Sequence, residues 1–391
     1  MDGWAGANPY LDTFNDTLHG DYRRLREEQP VHLAPTGVYR LTRMADVVFL
    51  LKKAKCGVRT AEGELPHIDE STMKHESMLE VDEPDHRRLR NLVSKAFTPK
   101  KLQALIDEVD RRVDGLLDDM EGRKEVDLVE ALAFPLPFTV ICGMLGVPDE
   151  DREDFIRWSA LSTHALLGEQ SSRKEEAAVA MNQVLGYIAA LIEKRRLDPG
   201  EDLFSAMIHA EEEGDRLTHS ELIQNAYILL IAGFETTVGL IANGVRKFML
   251  DRDQWDRLQA DPGLINTAVE EILRMESPVV AIRRILHEDT EFSGVLIPKG
   301  RGVLGVLAAV NRDPEVFPDP DCFDIGRDPN PHLAFGGGAH FCLGAHLARM
   351  EGRAALGKLA KRFPNIRLVS TDVVWGESVM RVPASLPIHL E

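Results

Sequence analysis

The sequence predicts a mainly α-helical single domain, 1–391, with a small β-rich part. Three observations carry this expectation. Between 100 and 210, amphipathic helical patterns follow one another, broken by Pro135, Pro137, Pro148 and Pro199, and no repeat, low-complexity run or Gly/Ser linker marks a boundary. From 218 to 249 a single pattern of about thirty residues would extend roughly 45 Å at 1.5 Å per residue, enough to cross the whole molecule. Short strand candidates lie at Val31–Leu33, 37–41 and 279–284, so the β-rich portion is expected near 30–43, 279–310 and 365–391.

The totals narrow the function. A chain of 391 residues is ample for a core that encloses a cofactor. Its net charge of −18 argues against non-specific nucleic-acid binding. With 44% hydrophobic and 28% charged residues the composition is that of a soluble globular protein. No run approaches the roughly 18 apolar residues of a membrane span, and Met1-Asp2-Gly3-Trp4 lacks the basic-then-apolar layout of a signal peptide. Cys56, Cys142, Cys322 and Cys342 are too few and too scattered for a disulfide framework. A reducing cytoplasm, no membrane and a monomeric state are the expectation.

In chain order, a polar, Arg-rich helix at Leu18–Glu28 leads into the first two strand candidates and a helix over 44–53. Residues 57–82 show no clean period and carry Gly57, Gly63 and Pro66; long loops in compact folds are often binding elements. Pro84 with its acidic neighbours starts the next helix, which places His86 and Arg90, four apart, on one face. Such a pair suits an anionic partner such as a carboxylate, or equally a solvated surface. The stretch 153–195 holds no motif.

The long helix opens on a capping box, Thr218 with Glu221 three residues on. Its middle, 228–234, is apolar all round, as a buried helix requires. Into it is set Ala232-Gly233-Phe234-Glu235-Thr236-Thr237. Glu235 is expensive there unless partnered, and Gly233 costs the helix about 1 kcal/mol relative to Ala. Broken local rules in a core point to a functional site; a structural ion pair for Glu235 and a back-bond for Thr236 would also explain them. Thr237, about 100° further around the helix, is expected to take no part. Farther on, Glu271 and Arg274 can pair on a helix over 267–276, and Val279 to Arg284 reads as extended after Pro278.

The most specific stretch is Phe335-Gly336-Gly337-Gly338-Ala339-His340-Phe341-Cys342-Leu343-Gly344. Three glycines permit a tight bend that a Cβ forbids, and a helical pattern over 343–362 follows at once. The thiol of Cys342 therefore lies at a helix N-terminus, where free N–H groups and the dipole favour thiolate, a soft metal ligand. Zinc held by His340 and Cys342 is conceivable, but no second Cys/His pair of the usual spacing accompanies them. The pattern Phe-Gly-x-Gly-x-His-x-Cys-x-Gly fixes six positions, and chance yields it in well under ~1 in 10⁷ starts.

These residues resemble the haem-binding signature of the cytochrome P450 family. The resemblance implies the cytochrome P450 fold, with haem b (iron protoporphyrin IX) ligated by Cys342, shielded by Phe335 and lying against the backbone at Gly344. It implies propionate anchoring by His86, Arg90, Arg284 and His340. Arg284 is chosen over Arg283 by register against Asp289 and Gly294. Ala232-Gly233-x-Glu235-Thr236 resembles the family's oxygen-activation motif, in which a widened helix turn makes room for dioxygen and an acid–alcohol pair delivers protons. Glu271 and Arg274 resemble the buried Glu-x-x-Arg pair, with Arg327 as the third member. Ile228, Ile231, Ala232, Val280, Ile282 and Met380 match substrate-facing positions and imply an apolar pocket. The expected activity is a monooxygenase that inserts one atom of O2 into an apolar small molecule such as a secondary metabolite, terpenoid, steroid or fatty acid. Electrons would come from a separate ferredoxin and ferredoxin reductase, docking on Arg87, Arg88, Lys95, Arg349 and Arg353. A peroxide-driven peroxygenase and a non-catalytic haem sensor or carrier are the alternatives.

Overall fold

The computed structural model describes residues 18–64, 76–94, 99–165, 172–212 and 217–391. In chain order its elements are α1 (Leu18–Glu28), β1 (Val31–Leu33), β2 (Tyr39–Leu41), α2 (Met44–Lys52), β3 (Cys56–Gly57), α3 (Asp85–Ser94), α4 (Pro99–Asp118), β4 (Glu125–Asp127), α5 (Pro135–Leu145), α6 (Arg152–Ser162), α7 (Lys174–Leu197), α8 (Leu203–Glu212), α9 (His219–Leu250), α10 (Arg252–Ala260), α11 (Ile265–Met275), β5 (Ile282–Leu286), β6 (Thr290–Phe292), β7 (Val295–Ile297), β8 (Gly302–Gly305), α12 (Leu307–Val310), α13 (Ala345–Arg362), β9 (Arg367–Leu368) and β10 (Pro387–His389). They sort into two units whose segments interleave. Met1–Pro66, Val113–Ala133 and Thr236–Glu391 make one; His67–Arg112 and Phe134–Glu235 make the other.

The first unit is built on a five-stranded sheet in the order β1-β2-β8-β5-β3. Side chains alternate across it, so neighbouring residues serve different cores. Val303 joins Leu41, Val47, Leu50 and Leu286 in a cluster under α2, while Leu304 joins Leu18, Tyr22 and Leu25 of α1. The N-terminus of α2 is fixed by Asp313, whose carboxylate accepts the Met44 N–H at 2.7 Å. Strand β5 begins at Ile282 rather than at Val279, because the backbone before it is committed elsewhere: the Val280 carbonyl accepts from Ala308 N–H and the Pro278 carbonyl from Arg381 N–H.

A second, three-stranded sheet orders β4-β10-β9. Strand β4 lies inside the stretch expected to be helical throughout. Its three residues carry no period of their own, and pairing with β10 in the register Val126↔Ile388 makes them a strand. Such pairing partners, some 260 residues apart, leave no local trace.

In the second unit the prolines start helices as well as ending them. Pro135 occupies the first turn of α5, and Gly146, at φ 70°, closes it. Phe134, Phe138 and Phe234 form an aromatic knot, with Phe138 stacked on Phe134 at 5.5 Å and edge-on to Phe234 at 5.2 Å. The capping box of α9 is reciprocal: Thr218 N–H donates to Glu221 at 2.7 Å and Glu221 N–H to the Thr218 hydroxyl at 3.1 Å. Glu221 also takes the Arg88 guanidinium of α3, and one turn on Asn225 accepts the Met78 N–H at 2.9 Å.

Helix α9 runs 32 residues and passes from one unit into the other between Glu235 and Thr236. It is long and apolar enough to cross a membrane, but 78% of its most apolar window is buried within the protein.

Candidate active site

The cysteine loop closes on itself: Cys342 N–H donates to the Phe335 carbonyl at 3.0 Å and Gly336 N–H to the Leu333 carbonyl at 2.8 Å. Gly336 and Gly338 both sit at φ 68°, where a side chain is strained, and a Cβ on Gly338 would run into the Leu51 carbonyl at the end of α2. Past the loop, Gly344 caps α13, and a Cβ there would meet nothing within 4 Å. Cys342 is exposed, and Phe335, His340 and Gly344 are half-buried.

Behind the loop lies a buried charged network. Arg274 and Glu271, both wholly buried, pair through two bonds, Nε to Oε2 at 2.7 Å and Nη2 to Oε1 at 2.8 Å. The same guanidinium reaches the carbonyls of Asn311 at 2.9 Å, Pro320 at 2.7 Å and Cys322 at 3.1 Å. Arg327 donates to Glu271 at 3.2 Å, joined by Asn330 at 3.0 Å and Asp324 N–H at 3.0 Å. Geometry of this kind welds α11 to the segment leading into the cysteine loop.

Sequence reasoning missed a parallel set one residue earlier. Glu270 accepts from Arg349 at 2.7 and 2.8 Å and bonds His332 at 3.0 Å. Burial opposes ionisation of Glu270, yet the bonds from His332 and Arg349 outweigh it and hold the carboxyl at about 2. Arg349 also lies 4.4 Å over the Phe335 ring, so it braces the loop from α13. The available signal was the helical spacing of Arg349 behind the cysteine. Of the other basic residues expected to form a docking patch, Arg88 is tied to Glu221, and Arg353 binds Asn266 at 2.9 Å. Arg87 is exposed beside Glu83 at 3.1 Å, and Lys95 lies outside the described residues.

Strand β5 sends its two arginines to opposite faces. Arg284 pairs in register with Val303, on the face under α2; Arg283 pairs with Leu304, on the face under α1. Because α2 also abuts Gly338, the Arg284 face is the one adjoining the cysteine loop.

In the second unit His86 is buried on α3, with Arg90 one turn on and half-buried. Burial lowers the His86 pKa; Glu83, 3.6 Å away, raises it and Arg90 lowers it again, leaving the imidazole below its ordinary value. It is then an uncharged donor at neutral pH.

On α9, Glu235 is buried and Thr236 half-buried. The helix is regular α through this stretch, without the widened turn the resemblance implies. Gly233 has a packing reason instead: a Cβ there would press on Ile141 of α5 at 3.1 Å. Ile228, Ala232 and Thr236, spaced by four, form an accessible stripe in the mostly buried middle of the helix, with Ala232 exposed. Ile282 and Met380 are half-buried, whereas Ile231 and Val280 are 3% and 1% exposed. Val280 packs with Leu18 and Tyr22.

A thiol on a glycine loop at a helix N-terminus, braced by a buried Glu-x-x-Arg pair, defines a haem-thiolate protein. The sequence profile of the cytochrome P450 family matches residues 30–365, and the chain belongs to that family. It is a haem-thiolate monooxygenase with iron protoporphyrin IX as cofactor. It is 43% identical to the cytochrome P450 monooxygenase PikC of Streptomyces venezuelae, over 99% of this chain and 96% of that one. Among solved structures, the bacillaene polyketide synthase cytochrome P450 PksS of Bacillus subtilis superposes with a TM-score of 0.90 at 36% identity, covering 98% and 100% of the two chains. P450BioI, in complex with an acyl carrier protein ligated to hexadec-9Z-enoic acid, gives 0.88 at 36%, covering 95% and 98%.

Proposed function

We propose that the protein oxygenates an apolar secondary metabolite or fatty-acyl compound in the cytoplasm, with its two units acting as one catalytic domain and electrons supplied by a separate ferredoxin and ferredoxin reductase. The Cys342 loop carries the reading. Its exposed thiol, beside the open surface at Gly344, would suit a flat macrocycle whose iron takes a soft thiolate. Cys342 ligates the iron, Phe335 covers the sulfur, and Arg349 keeps that ring in place. His86, Arg90, Arg284 and His340 hold the propionates; the placement of Arg284 on the α2 face favours it over Arg283.

Thiolate-ligated haem supplies cleavage of the O–O bond and transfer of one oxygen atom. The chain's own part is protons and position. Glu235 takes protons from solvent and passes them to Thr236, whose hydroxyl holds one on the accessible stripe of α9. That acid–alcohol pair favours O2 over peroxide as the oxidant. Ile228, Ala232, Ile282 and Met380, all at least partly accessible, offer an apolar wall to the substrate. PksS and the acyl-carrier-bound P450BioI support the choice of substrate class.

The test has two parts. The reduced protein with carbon monoxide should show the strongly red-shifted Soret band of a trans thiolate, lost in Cys342→His. Thr236→Ala should keep haem and NADPH consumption while product per NADPH falls by roughly 10²-fold or more and peroxide accumulates. A His-like spectrum in the wild type, or full coupling in Thr236→Ala, would overturn the reading.

A further inference from the structure

Met380, part of the apolar wall offered to the substrate in the proposed function, sits in a loop that closes on itself. Gly376 N–H donates to the Val382 carbonyl at 2.9 Å and Ala384 N–H to the Val374 carbonyl at 2.8 Å, with Trp375 paired to Pro383 between them. Met380 N–H donates to the Ser378 hydroxyl at 2.9 Å, and the Met380 carbonyl accepts from Val382 N–H at 3.0 Å. These bonds shape the loop without fixing where it stands.

Its place is fixed by the next residue, Arg381, which is 2% exposed. The backbone of Arg381 is held on both sides: its N–H donates to the Pro278 carbonyl at 2.8 Å, and its carbonyl accepts from Asn243 Nδ2 of α9 at 2.8 Å. Its guanidinium pairs with Glu276, just past α11, and lies 4.1 Å over the Trp375 ring. Glu276 is braced in turn by Arg312, which stands 3.6 Å away and donates to the Met275 carbonyl at 3.0 Å. Burial opposes ionisation of Glu276, yet attraction, foremost from Arg381, outweighs it and keeps the carboxyl at about 2. The backbone below leaves little room, since a Cβ on Gly239 of α9 would come within 2.8 Å of Pro278 and 3.1 Å of Val382. Pro278 also opens the segment that runs to Ile282 in β5, so the same contact ties Met380 to a second residue of the wall.

We propose that Arg381, clamped by Glu276 and Trp375, is a positioning residue for substrate selectivity: it touches no substrate, but it sets how far Met380 projects from the wall. Apolar packing would hold such a loop as firmly; a forked, stacked guanidinium adds a single orientation. With the clamp loosened, Met380 withdraws and the fit to a ligand that reaches the wall changes. The inference rests on the reading of Met380 and Ile282 as substrate-facing.

The experiment titrates the ferric holoenzyme with two iron-binding azoles, each followed by the red shift of the Soret band. Imidazole is too small to reach the wall, whereas 4-phenylimidazole carries a ring that lies along it. The quantity read is the ratio of the two dissociation constants, which partial loss of haem or of folded protein leaves unmoved. Met380→Ala should change the ratio severalfold. Trp375→Leu removes the stacking face of a half-buried residue and keeps the ion pair, and Arg381→Lys keeps the charge and loses the fork. Both should move the ratio in the direction of Met380→Ala by at least about threefold, with imidazole bound as in the wild type. Trp375→Phe, which restores an aromatic face, should return the wild-type ratio. A wild-type ratio in Trp375→Leu or Arg381→Lys while Met380→Ala moves, or a Trp375→Phe like Trp375→Leu, would overturn the inference and leave the proposed wall standing. A wild-type ratio in Met380→Ala would remove Met380 from the wall, and the inference would fall with that reading.

Discussion

Glu271→Gln tests whether the network behind the cysteine loop holds the fold together. The carboxylate is wholly buried and accepts five hydrogen bonds: two from Arg274, one each from Arg327, Asn330 and the Asp324 backbone. Glutamine keeps the shape but removes the charge, and its NH2 must face donors whichever way it turns. On the Oε2 side it meets Arg274 Nε and Asn330 Nδ2, on the Oε1 side three others. Arg274 is left charged in the core without a carboxylate, facing the carbonyls of Asn311, Pro320 and Cys322, the Met275 sulfur and the Phe317 ring. Breaking a buried pair costs about 3–5 kcal/mol, a large share of the ~5–15 kcal/mol that stabilises a typical protein. Urea denaturation should show the unfolding free energy falling by that amount, as a lower midpoint at unchanged slope, with haem lost on gel filtration. Arg327→Met removes one 3.2 Å bond to Glu271 and exposed bonds to the carbonyls of Pro318, Asp319 and Cys322 that water can replace, and should cost only about 1–2 kcal/mol. Equal effects for the two, or a loss under about 1 kcal/mol for Glu271→Gln, would refute the argument.

Two further outcomes follow from the site. With the propionate roles proposed above, Arg90→Ala or Arg284→Ala would leave a buried propionate without its partner, at about 3–5 kcal/mol if fully desolvated, so haem retention should fall for both and stay at wild type for Arg283→Ala. Because burial raises the Glu351 carboxyl from 4.5 to about 8, its folded state binds a proton the unfolded chain has released. Stability from this group is present below its ordinary value and is lost as pH rises through about 8, by up to ~5 kcal/mol at ~1.36 kcal/mol per pH step; Glu351→Gln should abolish that slope in denaturation measured across pH.

What could be read from residues alone was what local chemistry dictates. Gly336 and Gly338 are needed because of φ, and Gly338 also because of the nearby Leu51 carbonyl, Thr218 and Glu221 because each caps the other, and Glu271 with Arg274 because the spacing is helical. Features that depend on a distant partner stayed hidden. Strand β4 exists through β10, and Glu270 acquires His332 and Arg349 from two other segments. Gly233 broke a helix rule for the sake of Ile141, a packing demand that looks the same in sequence as a catalytic one.

The parallel pairing of β2 with β8 has a consequence for synthesis. Tyr39 lies beside Val303, about 260 residues later in the chain. At ~5–20 residues per second, the amino-terminal hairpin β1–β2 waits roughly 13–50 s on the ribosome before its inner neighbour exists. Throughout that interval one edge of β2 is an open row of N–H and C=O groups, the kind that recruits strands from other nascent chains. Its middle residue is Arg40, whose charge opposes such recruitment while the hairpin stands alone and is buried once the sheet is complete. Arg40→Val should therefore shift freshly made protein into inclusion bodies more than it changes the unfolding midpoint of the molecules that escape.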